Sequence, residues 1–354
     1  MIFTAAKMVN SLAILQGFYF AAMGDGNPAW FLFFSVYLYF FSVAEYCEGA
    51  FQVRGIHPGP RYFLTRSAFF ALVPMILLAI AAQDITPQAM LALLCGVSPQ
   101  VSYHSGPAHE KSGDRLFLLL MVSSLAAFTA LLWTLGPAPA FVAYVTLYAL
   151  AAVLRGRGLP RGAGVPEGTC LLQLAAVALF VPAPRYMDLL FLQFIDASQA
   201  NMAAALGFRV VNISVRLPMF IYANYLPPRI ASLGMAFRGR PFAIAALAAL
   251  AAFVICYVAI LIMAPEVRPL PLALYALAIC TAAYTGEVLR FFASGGTLFK
   301  VSLLAPILMV PLFWLLFDLL GMDFDVAFAG CFGLAVVPLV LWAWHSEYLR
   351  EMRA

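Results

Sequence analysis

Charge is scarce in this chain: Asp, Glu, Lys and Arg make up 10% of its 354 residues, and 64% are hydrophobic. A soluble globule, whose apolar share would be nearer ~45–50%, is excluded. Missing too is any polar stretch long enough for an extramembrane domain. Nor do polar and apolar residues alternate, and runs such as 243–252 and 301–320 exclude a transmembrane β-barrel. Six cysteines, Cys47, Cys95, Cys170, Cys256, Cys280 and Cys331, lie singly in apolar segments with no CxxC or Cys/His cluster. They read as small core residues, and no metal or cofactor is expected. No small-residue cleavage site followed by a soluble domain accompanies Lys7 and the first apolar segment, which therefore reads as a span rather than a removed signal peptide.

What is present is apolar length. Hydrophobic stretches run at 8–24, 30–52, 64–83, 87–103, 116–135, 138–154, 168–192, 197–225, 241–264, 270–292, 298–319 and 325–347. A membrane-crossing helix needs about 20 apolar residues, so twelve of them consume roughly 240 positions. The cations fall in alternate gaps. Lys7, the cluster Arg54, Arg61 and Arg66, the pair Lys111 and Arg115, and Arg155, Arg157 and Arg161 occupy the first half. Arg229, Arg238, Arg240, Arg290, Lys300, Arg350 and Arg353 continue the pattern, making 16 of the 20 Lys and Arg residues. The gaps at 24–27, 83–86, 136–137 and 321–323 carry none. Short loops rich in Lys and Arg stay cytoplasmic. The fold class is thus all-α, a polytopic membrane protein of about twelve spans with both termini inside. The net charge of +4 is explained by those loops and indicates no nucleic-acid partner.

The Gly- and Pro-rich basic segment at 156–167 reads as a cytoplasmic linker between an N-terminal six-helix lobe, 1–155, and a C-terminal one, 168–354. Six spans per half makes any duplication parallel. Pro74, Pro99, Pro182, Pro184, Pro218, Pro306 and Pro311 interrupt spans, either as bending points or as irregular packing.

Four cations escape the loop pattern: Arg185, Arg209, Arg216 and Arg268. Arg268 reads as a solvated loop charge beside Glu266, and Arg185 as interfacial, close to Asp188. Arg209 and Arg216 differ. Span 8 starting near Ala197 puts Arg209 roughly 18 Å deep, where an arginine costs at least ~2.5–3.5 kcal/mol unless it faces protein or water. Arg216 is two turns further on the same face, with Asn212 and Ser198 near it. Two guanidiniums together need carboxylates or a bound anion. Glu45, Glu48 and Gln52 share a face of span 2 at matching depth and are the expected counter-charges, although Glu48 could instead cap its helix and pair with Arg54. Glu287 is spaced for a local pair with Arg290, Asp318 falls near the outer interface, and His345 near the inner one.

The segments 187–194 and 203–209, followed by Leu217-Pro218 and 226–231, resemble spans 7 and 8 of polysaccharide flippases. These belong to the multidrug/oligosaccharidyl-lipid/polysaccharide (MOP) superfamily. Gln16 to Gly24 and the exit Val53-Arg54-Gly55 are similar to that family's first hairpin. The resemblance implies two six-helix lobes around a central cavity lined by spans 1, 2, 7 and 8, in a bacterial cytoplasmic (inner) membrane. The cargo it implies is a lipid-linked oligosaccharide or polysaccharide. It also implies substrate-binding roles for Arg209, Arg216, Asn212, Ser198, Glu45, Glu48 and Gln52, since a pyrophosphate wants cationic partners. The absence of arginine from span 1 argues against a peptidoglycan precursor, and a chain short for the family suits trimmed loops or a subunit beside a polysaccharide synthase or polymerase.

Three functions compete. A flippase or polysaccharide exporter fits the paired arginines. A drug or cation antiporter of the same superfamily would prefer an acidic cavity. A non-transporting subunit of a polysaccharide-synthesis complex needs no cavity at all. A membrane glycosyltransferase would need an external catalytic loop, and the external gaps are too short. The topology has its own test. An impermeant thiol reagent added to intact cells is expected to label a cysteine introduced at Asn27 or Asp84, but not one at Gly158; labelling at 158 would invert the assignment.

Overall fold

A computed structural model describes residues 2–21, 29–39, 42, 114–156, 181–195, 198–232, 239–263, 267–292 and 295–353. The spans expected at 64–83 and 87–103, the inner part of span 2, the first part of span 7 and nearly all of the 156–167 linker lie outside them. Inside hydrocarbon every backbone N–H and C=O must be satisfied within the segment, which leaves helices as the economical answer. Among the described residues there are helices and short connections and no strand.

The chain forms two compact units, 1–178 and 179–354. In the first, α1 (Ile2–Tyr19), α2 (Ala29–Tyr39), α3 (Asp114–Leu135) and α4 (Pro137–Gly156) are described. α3 and α4 form a hairpin around Gly136, whose φ of 91° is open to glycine without strain. Its N–H closes α3 on the Leu131 carbonyl at 3.1 Å, and Pro137, needing no donor, opens α4. The core of this unit is aromatic: Phe33 meets Phe141 edge-on at 4.8 Å, Tyr37 meets Phe141 at 5.1 Å, and Phe18 meets Phe31 at 5.2 Å. Thr129 donates to Gln16 Oε1 at 2.8 Å, tying α3 to α1. Gly17 is where α1 accepts α2: a Cβ there would stand 2.7 Å from the Phe34 ring.

The second unit contains α5 (Met187–Phe194), α6 (Gln199–Ser232), α7 (Gly239–Met263), α8 (Pro269–Phe292), α9 (Gly295–Trp314) and α10 (Phe324–Arg353). α8 packs on α6, α7 and α10, and 61% of its membrane-crossing stretch is buried, against 28% for α7. α7 has no polar stripe; its faces differ in size. Ala245, Ala249, Ala252, Cys256 and Ile260 turn inward while Leu247, Leu250, Val254, Val258 and Leu261 turn out. Small residues let helices approach where lipid gives no hydrophobic drive for association. Gly207 serves the same end on α6, with Leu272 of α8 lying where its Cβ would be.

Among the described residues, five helices are long and apolar enough to cross a membrane, at Leu118–Leu135, Ala243–Ile262, Pro269–Leu289, Thr297–Leu319 and Phe324–Arg350. They coincide with five expected spans to within a few residues. Others depart from expectation. In the described part of span 7, the residues around Pro182 and Pro184 form a turn and a single 3-10 turn, Ala183–Tyr186, before α5 begins. Span 8 does not close at its prolines, because α6 runs 34 residues through Pro218, Pro227 and Pro228. At 1.5 Å per residue it reaches about 51 Å, well beyond the ~30 Å hydrocarbon core. Pro338 inside α10 adds an interruption the spacing did not suggest. α9 ends in a π-helical turn, Leu315–Leu319, with Gly321 at φ 63°; Asp318 is exposed there and His345 is exposed on α10.

Gly17→Ala tests the α1–α2 contact. Alanine gains up to ~1 kcal/mol of helix propensity, but displacing a ring packed in an aromatic cluster costs about 1–3 kcal/mol. A lowered melting temperature of the solubilised protein is expected; an unchanged or raised one would mean that Phe34 does not fill that space.

Candidate functional site

The polar face expected on span 8 exists. Arg209, Asn212 and Arg216 on α6 are 0%, 2% and 5% exposed, and all three bond to the stretch 185–188 just upstream. Arg185 precedes Tyr186, the N-cap of α5, so its carbonyl stands outside that helix's hydrogen-bond ladder. α6 supplies the donors: Arg209 Nη1 at 2.9 Å and Asn212 Nδ2 at 3.2 Å both bond the Arg185 carbonyl oxygen. From α8, the Tyr275 hydroxyl donates to Asn212 Oδ1 at 2.8 Å, which turns the amide nitrogen toward that carbonyl.

The counter-charge of Arg209 is Asp188. Arg209 Nη2 donates to Asp188 Oδ1, and both side chains are fully buried. The guanidinium carbon also lies 4.7 Å from the centroid of the Tyr186 ring. Arg216 Nη2 donates to the Tyr186 hydroxyl at 3.3 Å. Two atoms of the ion pair, Arg209 Nε and Asp188 Oδ2, have no hydrogen-bond partner among the described residues. Two buried guanidiniums of α6, those of Arg209 and Arg216, thus converge on the stretch from Arg185 to Asp188. The Arg185 backbone is the centre of the network, and its side chain is half-buried.

Ser198 is not part of this cluster. It is exposed ahead of α6, where its Oγ accepts the Asn201 N–H at 3.3 Å as a helix cap. Glu45, Glu48 and Gln52 lie outside the described residues. Asp188, Tyr186 and Tyr275 are the members that sequence reasoning missed. One signal was available: Asp188 stands ten residues before Ser198 and Arg209 eleven after it, so a helical hairpin brings them to one depth.

A second polar group ties connections together. Arg268 is not a free loop charge: its Nε bonds Asp325 Oδ2 at 3.0 Å, its Nη2 bonds Asp325 Oδ1, and its Nη1 bonds Asp323 Oδ2 at 2.6 Å. The Asp323 hydrogen bond, then the Asp325 carboxylate, hold its pKa above the ordinary value. Beside it is a cavity of ≈ 450 Å³ lined by Ala200, Asn201, Phe317, Met322 and Asp323. At the opposite end of α10, Glu347 accepts from Thr297 of α9 at 2.6 Å and forms an ion pair with Arg350 at 2.7 Å.

No family model matches the chain, and no curated protein does. Among solved structures, the chain is similar to a MATE transporter crystallised in a bent conformation. That likeness has a TM-score of 0.51 and 11% identity, and it covers 100% of this chain and 94% of the other. It shows the fold: a polytopic all-α membrane protein.

Breaking a buried ion pair from one side costs about 3–5 kcal/mol, whereas replacing both partners by apolar residues is often neutral. Asp188→Asn and Arg209→Met are each expected to lower the melting temperature markedly. The double variant Asp188→Leu/Arg209→Met should melt above either single one. Additive losses in the double variant would mean that the two residues act apart.

Proposed function

We propose that the protein is a membrane transporter working by alternating access, and that its cargo is anionic: a lipid-linked oligosaccharide or polysaccharide carried across the cytoplasmic membrane. The transporter part is supported by the fold shared with a MATE transporter. The anionic part is carried by one observation: two buried guanidiniums of α6, Arg209 and Arg216, gathered against the non-α stretch around Pro182 and Pro184. Broken helices within the membrane recur where transporters bind cargo, because the break leaves polar backbone to be satisfied. On this reading Arg216 and Asn212 face the headgroup, Arg209 supports them, and Glu45, Glu48 and Gln52 contribute from span 2. Both termini stay in the cytoplasm, following the distribution of basic loops.

A drug or cation antiporter is the second reading. It is favoured by the MATE neighbour itself and by Asp188, a carboxylate on the broken helix. Proteoliposomes separate the two. Translocation of a fluorescent lipid-linked oligosaccharide is expected with the wild type and should fall at least tenfold in Arg216→Gln, the scale of losing one charge-assisted hydrogen bond of about 1.5–3 kcal/mol. Accumulation of a cationic dye without oligosaccharide movement would establish the antiporter instead. Movement of neither, alongside co-purification with a polysaccharide synthase, would leave a non-transporting subunit.

A further inference from the structure

Three stretches long and apolar enough to cross a membrane meet around the cavity beside Arg268. Pro269–Leu289 begins one residue after that arginine, Thr297–Leu319 ends two residues after Phe317, and Phe324–Arg350 begins at Phe324. The cavity therefore sits where apolar spans give way to polar connections, at the level of lipid headgroups. Its volume of ≈ 450 Å³ falls within the ~300–1,000 Å³ of small-molecule sites. The lining divides in two. Ala204, Val267, Phe317, Met322 and Phe324 are apolar, and Arg268, Asp323 and Asp325 supply the charge.

The ion pairs at this cavity are not saturated. Arg268 spends one N–H from each nitrogen: Nε and Nη2 bond Asp325, and Nη1 bonds Asp323 Oδ2 at 2.6 Å. A guanidinium has five donors, so one N–H remains on each Nη, on a side chain 55% exposed. The two acids differ. Asp325 is nearly enclosed, and its Oδ1 also accepts the Val326 N–H at 2.9 Å. Asp323 is 69% exposed, and its Oδ1 has no hydrogen bond among the described residues. Two carboxylates against one guanidinium leave one negative charge. Together these groups offer two N–H donors beside an open carboxylate oxygen, above an apolar hollow. Their complement is a molecule with an oxyanion, an N–H-bearing cation and an apolar body.

We propose that this cavity binds a phospholipid with a primary ammonium in its headgroup, an ethanolamine phospholipid. The phosphate accepts the remaining N–H groups of Arg268, and the ammonium donates to Asp323 Oδ1. The glycerol end of the chains lies against Phe317 and Met322. Other headgroups satisfy only part of this arrangement. A choline headgroup has the same charges but no N–H to give, a glycerol headgroup has no cation, and a simple alkylamine has no phosphate. The site is separate from the Arg209 network and does not depend on which cargo the protein carries.

The test titrates the full-length protein in detergent with dioleoyl lipids bearing ethanolamine, choline or glycerol headgroups, and with oleylamine, reading bound copies by native mass spectrometry. The ethanolamine lipid is expected to bind most tightly. Asp323→Asn, at an exposed position that leaves the Asp325 pair in place, should weaken it about tenfold, the loss of one charge-assisted hydrogen bond. The same variant should leave the choline lipid unchanged. Equal binding of the four probes, or an unaltered ethanolamine preference in Asp323→Asn, would overturn the proposal. Location has its own readout, which needs no variant. An ethanolamine lipid with a photoreactive diazirine near its glycerol should cross-link to the segment 315–324, identified by peptide mass. Cross-links confined to other segments would overturn the assignment to this cavity.

Discussion

A backbone carbonyl that falls outside a helix's hydrogen-bond ladder must still find a donor when it is buried, and the second unit is organised around one such group. The Arg185 carbonyl lies ahead of the α5 ladder, in a 3-10 turn around Pro182 and Pro184. Water would satisfy it at a surface. In hydrocarbon an unsatisfied polar group costs several kcal/mol, so α6 carries Arg209 and Asn212 at that level. Each donor then makes its own demand. The arginine requires Asp188, and the asparagine is oriented by Tyr275. From one break in one helix follow a buried ion pair, a ring contact and the docking of α5, α6 and α8.

The features legible in the sequence were those set by the bilayer. Its thickness fixes how many apolar residues a span must have, and Ala243–Ile262, Thr297–Leu319 and Phe324–Arg350 lie where hydrophobic runs put them. The polar face of α6 was legible for a similar reason, because helical spacing alone aligns Arg209, Asn212 and Arg216. Partnership was harder to read. Depth matching paired Arg216 with Glu48 of span 2, which lies outside the described residues, and gave no hint that Asp188, 21 residues upstream, holds Arg209. Ser198 was placed on the polar face by extending an ideal helix through it. In fact the helix begins at Gln199, and Ser198 caps it. Proline was a poor guide to helix ends: the residues around 182 and 184 are not α-helical, yet helices run through 218, 227 and 338. Local sequence does not reveal whether neighbours will satisfy the carbonyl that a proline leaves behind.

Residue size carries information here that polarity carries in soluble proteins. α7 is apolar on every side, so its orientation rests on alanines facing protein and leucines facing lipid. The first unit solves the same problem with rings, packing Phe18, Phe31, Phe33, Phe34 and Phe141 into one cluster and reserving Gly17 for the closest approach.

The paired helices α9 and α10 are lashed at both ends and weakened between. Arg268 holds Asp323 and Asp325 where α9 gives way to α10, and Thr297 holds Glu347 where α9 begins and α10 nears its end. Between these lashings Pro306, Pro311 and Pro338 each delete a rung of the helical ladder. Such a pair resists splaying at its tips and yields in its middle, as a strung bow does. Any flexing of this pair is therefore channelled into curvature at mid-membrane, with the two ends keeping their spacing.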